Sequence, residues 1–275
     1  MPLLYVLWTV ALLTVIVTAM STSGGVSYHM TPNAAEQARH EALAEAALNR
    51  AVLALLDRRQ GQGWRVDGVP QTFAFEGTQI SVAIQDELGR IDINQADAPL
   101  LAALFRVVGQ SIEQGDTLAD RIIDWRDPDE LRRLHGAEAG EYAAAGFPNR
   151  PRNALFQSVD ELKLVLGMTP ELFRRARPFL TVFSNRSTVD PRFAPREVRL
   201  ALSGGAGALE APGAANNDGG VLDRQMPLDG RAFLIRIDFA VGQARVAREA
   251  VIRITGDERQ PYWLLSWQRQ SHSER

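Results

Sequence analysis

The chain opens with a long apolar segment. No charged residue precedes Glu36, and residues 3–20, LLYVLWTVALLTVIVTAM, are almost wholly apolar. At 1.5 Å per residue, a helix of this length extends about 27 Å, close to the hydrocarbon thickness of a bilayer. The pattern therefore predicts a transmembrane helix. The side chains that would anchor it are Leu3, Leu4, Val6, Leu7, Trp8, Leu12, Leu13, Val15 and Ile16.

A cleaved signal peptide and a buried core helix are the alternatives for this segment. Signal peptides place Lys or Arg ahead of a shorter apolar region, and this sequence shows no basic residue there. The length and the lack of polar positions argue against a core helix. Without a basic flank, the positive-inside rule does not determine which side of the membrane the rest of the chain occupies.

Helical periodicity continues after the apolar segment, in residues 33–59. This stretch is rich in alanine and other strong helix formers, and its charged residues lie away from the apolar positions. Residues 1–57 are therefore predicted to form a membrane helix continued by an amphipathic helix. The apolar positions at helical spacing are Leu43, Ala47, Leu48, Val52 and Leu55.

The period of the pattern then changes twice. TFAFEGTQISVAIQDELG, residues 72–89, alternates and predicts a β-hairpin that turns near Gly77. Cap residues or Pro begin four helical segments between Asn94 and Val182: DAPLLAALF, DTLADRIIDW, SVDELKLVLG and TPELFRRARPFL. Alternation returns in four predicted strands, EVRLALS, RAFLIRIDFAV, RVAREAVIRIT and PYWLLSWQ.

This order of elements predicts an α+β fold. The long N-terminal helix would pack on an antiparallel sheet, with a large all-α domain inserted between strands. Two independent domains explain the order less well, because a two-stranded hairpin is marginal alone and needs the later strands. The predicted units are residues 1–57, 58–93, 94–182 and 183–275, the second and fourth forming one β domain.

Composition excludes several kinds of chemistry. The 275 residues contain no cysteine, which excludes disulfides, zinc thiolates and a thiol nucleophile. The four histidines are scattered and show no metal-ligand spacing, and the net charge of −3 gives no global basic field for nucleic acid. No nucleophile elbow, P-loop or dinucleotide fingerprint is present. We therefore predict neither catalytic residues nor an organic cofactor.

Carboxylates are concentrated in IIDWRDPDELRRLHGAEAGEY, residues 122–142. Calcium takes six to eight oxygen ligands, and Pro128 would break the helix so that the following acids can fold back. Asp124, Asp127, Asp129 and Glu138 are the candidate ligands. The alternative is that the acids cap helices and form a solvated face. Catalysis is disfavoured, because the neighbouring arginines keep the carboxylates ionised.

Four ordered motifs resemble one family. GRIDINQADAPLLAALF, IIDWRDPDELRRLHGAE, PRNALFQSVDELKLVLGMTPELFRRARPFLTVFS and DPRFAPREVRLAL follow an N-terminal helix. In this order they are similar to general secretion pathway protein K, the large minor pseudopilin of type II secretion. The resemblance covers nearly the whole chain. It implies a pilin-like fold whose sheet is interrupted by a large helical insertion.

The resemblance also implies a function. Family members act at the tip of the pseudopilus as assembly initiators for protein secretion across the outer membrane, and not as enzymes. It implies I- and J-type minor pseudopilins as partners through the N-terminal helix, and a single-pass inner-membrane protein whose globular domain lies in the periplasm. It further implies structural calcium in the helical domain, for which residues 122–142 are the segment we would assign.

The sequence departs from the family pattern at two places. A further acid would follow Glu138, where this chain has Ala139, so the number of calcium ligands is reduced. No basic leader precedes the apolar run. We therefore expect either that the sequence starts later than the true start of the gene or that it is the sequence of the mature protein. If Met1 is the first mature position, Tyr5 stands where major pseudopilins have glutamate, as expected for a subunit with nothing above it.

A DNA-binding protein of an uptake system is the alternative function. DINQADAPLLAALF and LVLGMTPELFRRARPFL also resemble helix-hairpin-helix motifs, and Arg174, Arg175 and Arg177 would add phosphate contacts. The surroundings are acid-rich, however, and such motifs serve equally well for packing small helices. No nucleic-acid partner is expected. A membrane-anchored solute-binding module is a third possibility, and it requires a pocket with convergent polar groups.

Overall fold

The computed structural model describes residues 34–57, 64–204 and 227–270. The predicted membrane anchor, residues 3–20, lies outside these residues. Within the described ranges, no helix is both long enough and apolar enough to cross a bilayer. Residues 34–56 form helix α1, in agreement with the predicted amphipathic helix.

Among the described residues, the main sheet has five antiparallel strands, and a second, parallel sheet has two. The strands are β1 (Asp67–Phe75), β2 (Thr78–Asp86), β3 (Ile91–Asp92), β4 (Leu180–Thr181), β5 (Ala232–Val241), β6 (Ala244–Ile254) and β7 (Tyr262–Arg269). The order in the main sheet is β1-β2-β5-β6-β7. The predicted hairpin is confirmed: Phe75 pairs with Thr78, and the left-handed residues Glu76 and Gly77 form the turn.

Five described helices lie between β2 and β5 in the chain. They are α2 (Ala98–Val107), α3 (Ile112–Arg126), α4 (Ala139–Ala144), α5 (Pro170–Ala176) and α6 (Arg196–Leu202), with 3-10 turns at Glu87–Gly89, Val159–Leu164 and Arg177–Phe179. Strands β3 and β4 pair in parallel, Asp92 opposite Thr181. The stretch between β3 and β4, which contains α2 to α5, therefore begins and ends at adjacent positions.

One predicted strand is wrong. EVRLALS was expected to be extended, whereas residues 196–202 form α6. Pro195 precedes the helix, and Val198 and Ala201, three residues apart, are buried in the same core as α2. In a segment this short, the apolar positions fit a helix face as well as a strand face, and contact with α2 decides between them.

Helix α1 packs on one face of the main sheet. All five residues predicted for its apolar stripe are buried, together with Ala44 and Ala51 between them. They contact alternate residues of the central strands, such as Val82 and Ile237. Glu41 adds an electrostatic contact, since Arg248 donates to it at 2.6 Å and Arg269 at 3.1 Å. The hydrogen bond from Arg248 lowers the pKa of the Glu41 carboxyl.

The helices between β2 and β5 have their own core. Trp125 of α3 stacks on Phe156 with ring centroids 6.2 Å apart and contacts Tyr142 of α4 at 5.9 Å. The Tyr142 hydroxyl accepts a hydrogen bond from the Leu166 backbone at 3.0 Å. These aromatic contacts hold the end of α3 and the start of α4 in fixed positions, which determines where the loop between them lies.

A buried ion pair lies at one end of the main sheet, between the last residue of β2 and the residue that precedes β5. Asp86, at the end of β2, is fully buried and pairs with Arg231, which is 8% exposed. The Arg231 guanidinium lies against the rings of Phe193 and Phe233. Burial raises the pKa of Asp86 to about 6, and the charge of Arg231 opposes this shift only in part. Removing both charged groups from water costs free energy, and the packing around the pair must offset that cost.

Candidate metal centre

The acidic loop, residues 127–138, connects α3 to α4. Helix α3 ends at Arg126, and Asp127 takes an extended conformation with φ −78° and ψ 156°. Pro128 follows at once and cannot continue the helix, because its ring occupies the position of the lost amide hydrogen. The chain therefore leaves the axis of α3 at this point, as the sequence predicted.

Asp124 lies in the last turn of α3 and is fully buried. Its Oδ2 accepts a hydrogen bond from the Arg133 backbone at 3.2 Å, so the loop folds back over the helix end. A side chain at Gly136 would bring Cβ to 1.8 Å from the same oxygen, so only glycine allows this approach. Burial raises the pKa of Asp124 to about 6, and the charge of Asp127 adds to the shift.

Glu138 lies at the other end of the loop, at the N-cap of α4. It is 8% exposed, and its Oε1 has no hydrogen-bond partner among the described residues. Burial is the largest cause that raises the pKa of Glu138 to about 7. The negative charges of Asp124 and Asp127 raise it further. A buried carboxylate oxygen without a donor is costly unless a cation or a proton neutralises it.

Asp127 and Asp129 lie between these two groups in the chain. Oδ1 of Asp127 is buried without a hydrogen-bond partner, and burial together with the charge of Asp129 raises its pKa. Asp129 is exposed, and its Oδ1 accepts from the Leu131 backbone at 2.8 Å. Within the described ranges, no three carboxylate or imidazole groups already converge in a metal cage. Three of the four candidate acids thus lie in the acidic loop and Asp124 lies in the adjoining helix turn, without forming a closed coordination shell among the described residues.

The helix-cap alternative accounts for part of this arrangement. Asp129 closes a local turn through Leu131, as a capping side chain would. Asp127 is the C-cap residue of α3, but its backbone N–H makes the contact, to Ile123, and its Oδ1 stays unpaired. Capping therefore explains Asp129 and, through the capping box with Glu141, part of the role of Glu138. It leaves Oδ1 of Asp127 and Oε1 of Glu138 without partners among the described residues.

Sequence reasoning missed two residues that hold the loop. Asp120, one turn before Asp124 on α3, accepts from the His135 backbone at 3.1 Å and from the Arg133 guanidinium at 2.9 Å. Asn153 adopts a left-handed conformation and donates to the Asp129 carbonyl at 3.1 Å, while its own buried Oδ1 has no partner. The helical spacing of Asp120 could have indicated its role, whereas nothing near Asn153 in the sequence points to the loop.

This donor set fits a hard cation. Carboxylate and amide oxygens are the ligands that calcium prefers, and calcium tolerates irregular geometry. The neighbouring arginines were expected to keep these carboxylates ionised, but burial outweighs them, and the pKa values of Asp124, Asp127 and Glu138 are raised. A cation bound at the loop would favour the ionised carboxylates. Bound calcium would contribute electrostatic cross-linking of the loop. The residues of this chain would orient their oxygens and exclude water from the helix end.

Comparison with known proteins places this site in a family context. Residues 81–185 match the family model described as type II secretion system (T2SS), protein K. Type II secretion system protein K of Pectobacterium carotovorum subsp. carotovorum is 26% identical over 201 residues, covering 65% of this chain and 61% of the relative. That of Dickeya chrysanthemi is 33% identical over 107 residues, covering 35% and 29%. In both alignments the chain spans less than two thirds of the relative's length.

A solved structure shares the fold. One chain of the crystal structure of the GspK-GspI-GspJ complex from the enterotoxigenic Escherichia coli type 2 secretion system aligns with a TM-score of 0.60 and 18% identity. The alignment covers 88% of this chain and 99% of that chain. This likeness concerns the mixed helix and antiparallel-sheet architecture. Together with the family model and the curated relatives, it confirms the resemblance seen in the motifs: the chain is similar to protein K of type II secretion systems.

Proposed function

We propose that this protein is a minor pseudopilin at the tip of the pseudopilus, where it initiates assembly with other minor pseudopilins for protein secretion across the outer membrane. On this proposal it is an assembly protein and not an enzyme. Residues 1–57 would form one pilin-like helix, anchored in the inner membrane, and the globular part would lie in the periplasm. The helices in residues 94–182 would form an all-α insertion in the β domain of residues 58–93 and 183–275.

The exposed side of α1 carries this proposal. One side of the helix is buried against the sheet, yet Leu53 is 60% exposed and Leu56 is 37% exposed on the other. Large exposed aliphatic side chains on a helix whose other side is already packed favour contact with a further helix. The related crystal structure is described as a complex of GspK with GspI and GspJ. We infer that I- and J-type minor pseudopilins contact α1 of this chain.

The test of the proposed function is assembly from purified components. The full chain, in a nonionic detergent, is mixed with I- and J-type minor pseudopilins from the same secretion system and separated by size-exclusion chromatography. We expect a stable ternary complex. A chain that elutes alone at every concentration tested would contradict the proposal.

Leu53→Arg should weaken this complex. Placing a charge where a partner helix packs loses the burial of one leucine and desolvates a guanidinium, which costs about 1–2 kcal/mol of binding free energy. The measurement is the dissociation constant for the I- and J-type subunits. Leu155→Arg is the matched control, because Leu155 is 54% exposed but lies far from α1 in the chain, before the 3-10 turn at Val159. Equal effects of the two changes would refute α1 as the partner surface.

Leu12→Arg should abolish membrane retention. Arginine at the centre of a membrane helix costs roughly 3 kcal/mol of insertion free energy. Fractionation of cells that express the full chain, followed by alkaline extraction of the membranes, measures retention. Leu155→Arg serves again as the control with the same charge change. Retention of the Leu12→Arg chain at the unaltered level would disprove the anchor.

We further propose that calcium binds at the acidic loop, held by Asp124, Asp127, Asp129 and Glu138. The unpaired buried oxygens of Asp127 and Glu138 support this proposal. The Asn153 side-chain carbonyl is a further oxygen of the right chemistry beside the loop. Calcium would have a structural role there, because it would join the end of α3 to the start of α4.

A further inference from the structure

A second surface feature lies at the far end of α1 from the predicted membrane anchor. The groove there has a volume of about 380 Å³ and is bounded by the last turn of α1, the chain entering β5 and the loop between β6 and β7. Its floor consists of Leu228 and Ile254, both buried. Leu56 and Pro261 form its walls. The size lies within the range of roughly 300–1,000 Å³ found for sites that accept small organic groups.

Three carboxylates surround this apolar floor. Asp229, Asp257 and Glu258 line the groove, and no lysine or arginine does so among the described residues. Arg253, next to the floor in sequence, is directed elsewhere, since it donates to the carbonyls of Gly230 and Phe183. Among the described residues, the rim is therefore negative around an apolar floor.

The groove is held in place by hydrogen bonds. The Gly230 backbone donates to the Ile254 carbonyl at 2.9 Å, and the Thr255 backbone donates to the Pro261 carbonyl at 3.1 Å. Within the loop between β6 and β7, the Arg259 backbone donates to Asp257 at 2.8 Å. A site with its loops already tied costs less to order on binding than a mobile one.

We propose that this groove binds a polypeptide segment of a partner protein in which an apolar side chain is flanked by Lys or Arg. The apolar side chain lies over Leu228 and Ile254, and the basic side chains pair with the rim carboxylates. The charge pattern selects this occupant, because an acidic segment would be repelled by three carboxylates. The groove is separate from the acidic loop. It shares Leu56 with the exposed side of α1, but Leu53 does not line it.

The test uses a defined probe. A fluorescein-labelled octapeptide with a central Leu-Phe pair and two lysines on each side is titrated with the full chain in a nonionic detergent, and detergent alone is the blank. Fluorescence anisotropy should rise with chain concentration and should fall as salt increases, because the rim charges are exposed. Replacement of the lysines by glutamate, or of Leu-Phe by two serines, should remove binding. No binding at about 1 mM chain would overturn the proposal.

Two variants of the chain locate the site. Glu258→Lys should weaken peptide binding about two- to fivefold at low salt, as expected for loss and reversal of one exposed charge. Glu76→Lys is matched in charge change and lies at the β1–β2 turn, so it should leave binding unaltered. Equal effects of both variants would show a nonspecific response to net charge and would overturn the site.

A third variant tests whether the chain covers its own groove. Residues 206–224 end three positions before Pro227 in the sequence and contain Arg224, three acidic residues and several apolar residues. If replacing them by a Gly-Ser linker of equal length tightens peptide binding tenfold or more, the chain itself is the occupant and the partner proposal fails. Unaltered affinity supports an external partner. Failure of the peptide test leaves the pseudopilin proposal, which co-purification decides, unaffected.

Discussion

Arg231→Met should lower the free energy of unfolding by about 3–5 kcal/mol, the usual cost of removing one partner of a buried ion pair. The methionine keeps most of the apolar stem but leaves Asp86 fully buried without its counter-charge. Two further nitrogens of Arg231, Nε and Nη1, already lack partners among the described residues, so the guanidinium contributes mainly through Asp86 and the two phenylalanine rings. Urea denaturation followed by tryptophan fluorescence measures the change.

The controls separate burial from charge. Arg106→Met removes one partner of a partly exposed pair with Asp116, 4.0 Å apart, and should change stability by less than about 1 kcal/mol. Replacing Asp86 by leucine together with Arg231 by methionine should recover much of the loss, because no uncompensated charge then remains. If the single and double variants are equally destabilised, the contacts of the Arg231 guanidinium with the two phenylalanine rings, and not its pairing with Asp86, account for the loss.

Calcium should stabilise the chain by about 4 kcal/mol when its concentration exceeds the dissociation constant a thousandfold. For a chain of this size that corresponds to a rise of roughly 8–16 °C in melting temperature. Asp127→Ala combined with Asp129→Ala should remove most of this response. Differential scanning calorimetry with calcium and with a chelator measures it, and magnesium serves as the ion control. A wild-type melting temperature that calcium never changes would exclude the proposed site.

The same site should show an opposite pH dependence with and without calcium. The folded-state pKa values of Asp124, about 6, and Glu138, about 7, lie above their ordinary values, so the folded state binds protons more tightly than the unfolded state. In chelator, this contribution to stability is present at low pH and is lost as pH rises through about 6 and 7. With calcium, protons compete with the ion, so stabilisation by calcium grows over the same interval.

Glu138→Gln isolates this contribution from the other carboxyls of the chain. The variant cannot titrate at this position, so its stability in chelator should decline less between about pH 5 and pH 8 than that of the wild type. The difference between the two curves is the quantity to compare. A wild-type curve parallel to that of the variant would show that Glu138 has no raised pKa in the folded chain.

Much of the fold was accessible from the pattern of apolar residues. The apolar stripe on α1 and the alternation in β2 and β5 are long enough for their periods to identify a helix and two strands. These elements pack against each other in one core, which stabilises the predicted structure. Residues 196–202 are too short for that distinction, and their contact with α2 makes them helical. The parallel pairing of β3 and β4 could not be predicted, since two residues in each strand carry no pattern.

The candidate site divides in the same way. Asp124, Asp127, Asp129 and Glu138 were identified because carboxylates clustered around Pro128 are visible in one short stretch. Asn153 reaches the loop through tertiary packing, with its backbone donating to the Trp125 carbonyl at 3.0 Å. Whether an oxygen remains without a donor, as in Glu138, depends on burial that the sequence does not reveal.

The pairing of β3 with β4 also bears on how related chains can diverge. Because Asp92 and Thr181 are neighbours in the β3–β4 pair, the residues between them begin and end at the same place in the fold. Insertions or deletions between β3 and β4 can change the size of the helical segment without altering the register of the five-stranded main sheet. On the proposed function, differences in length among related chains should therefore accumulate between β3 and β4, while the surface that α1 and the main sheet offer to other subunits keeps its dimensions.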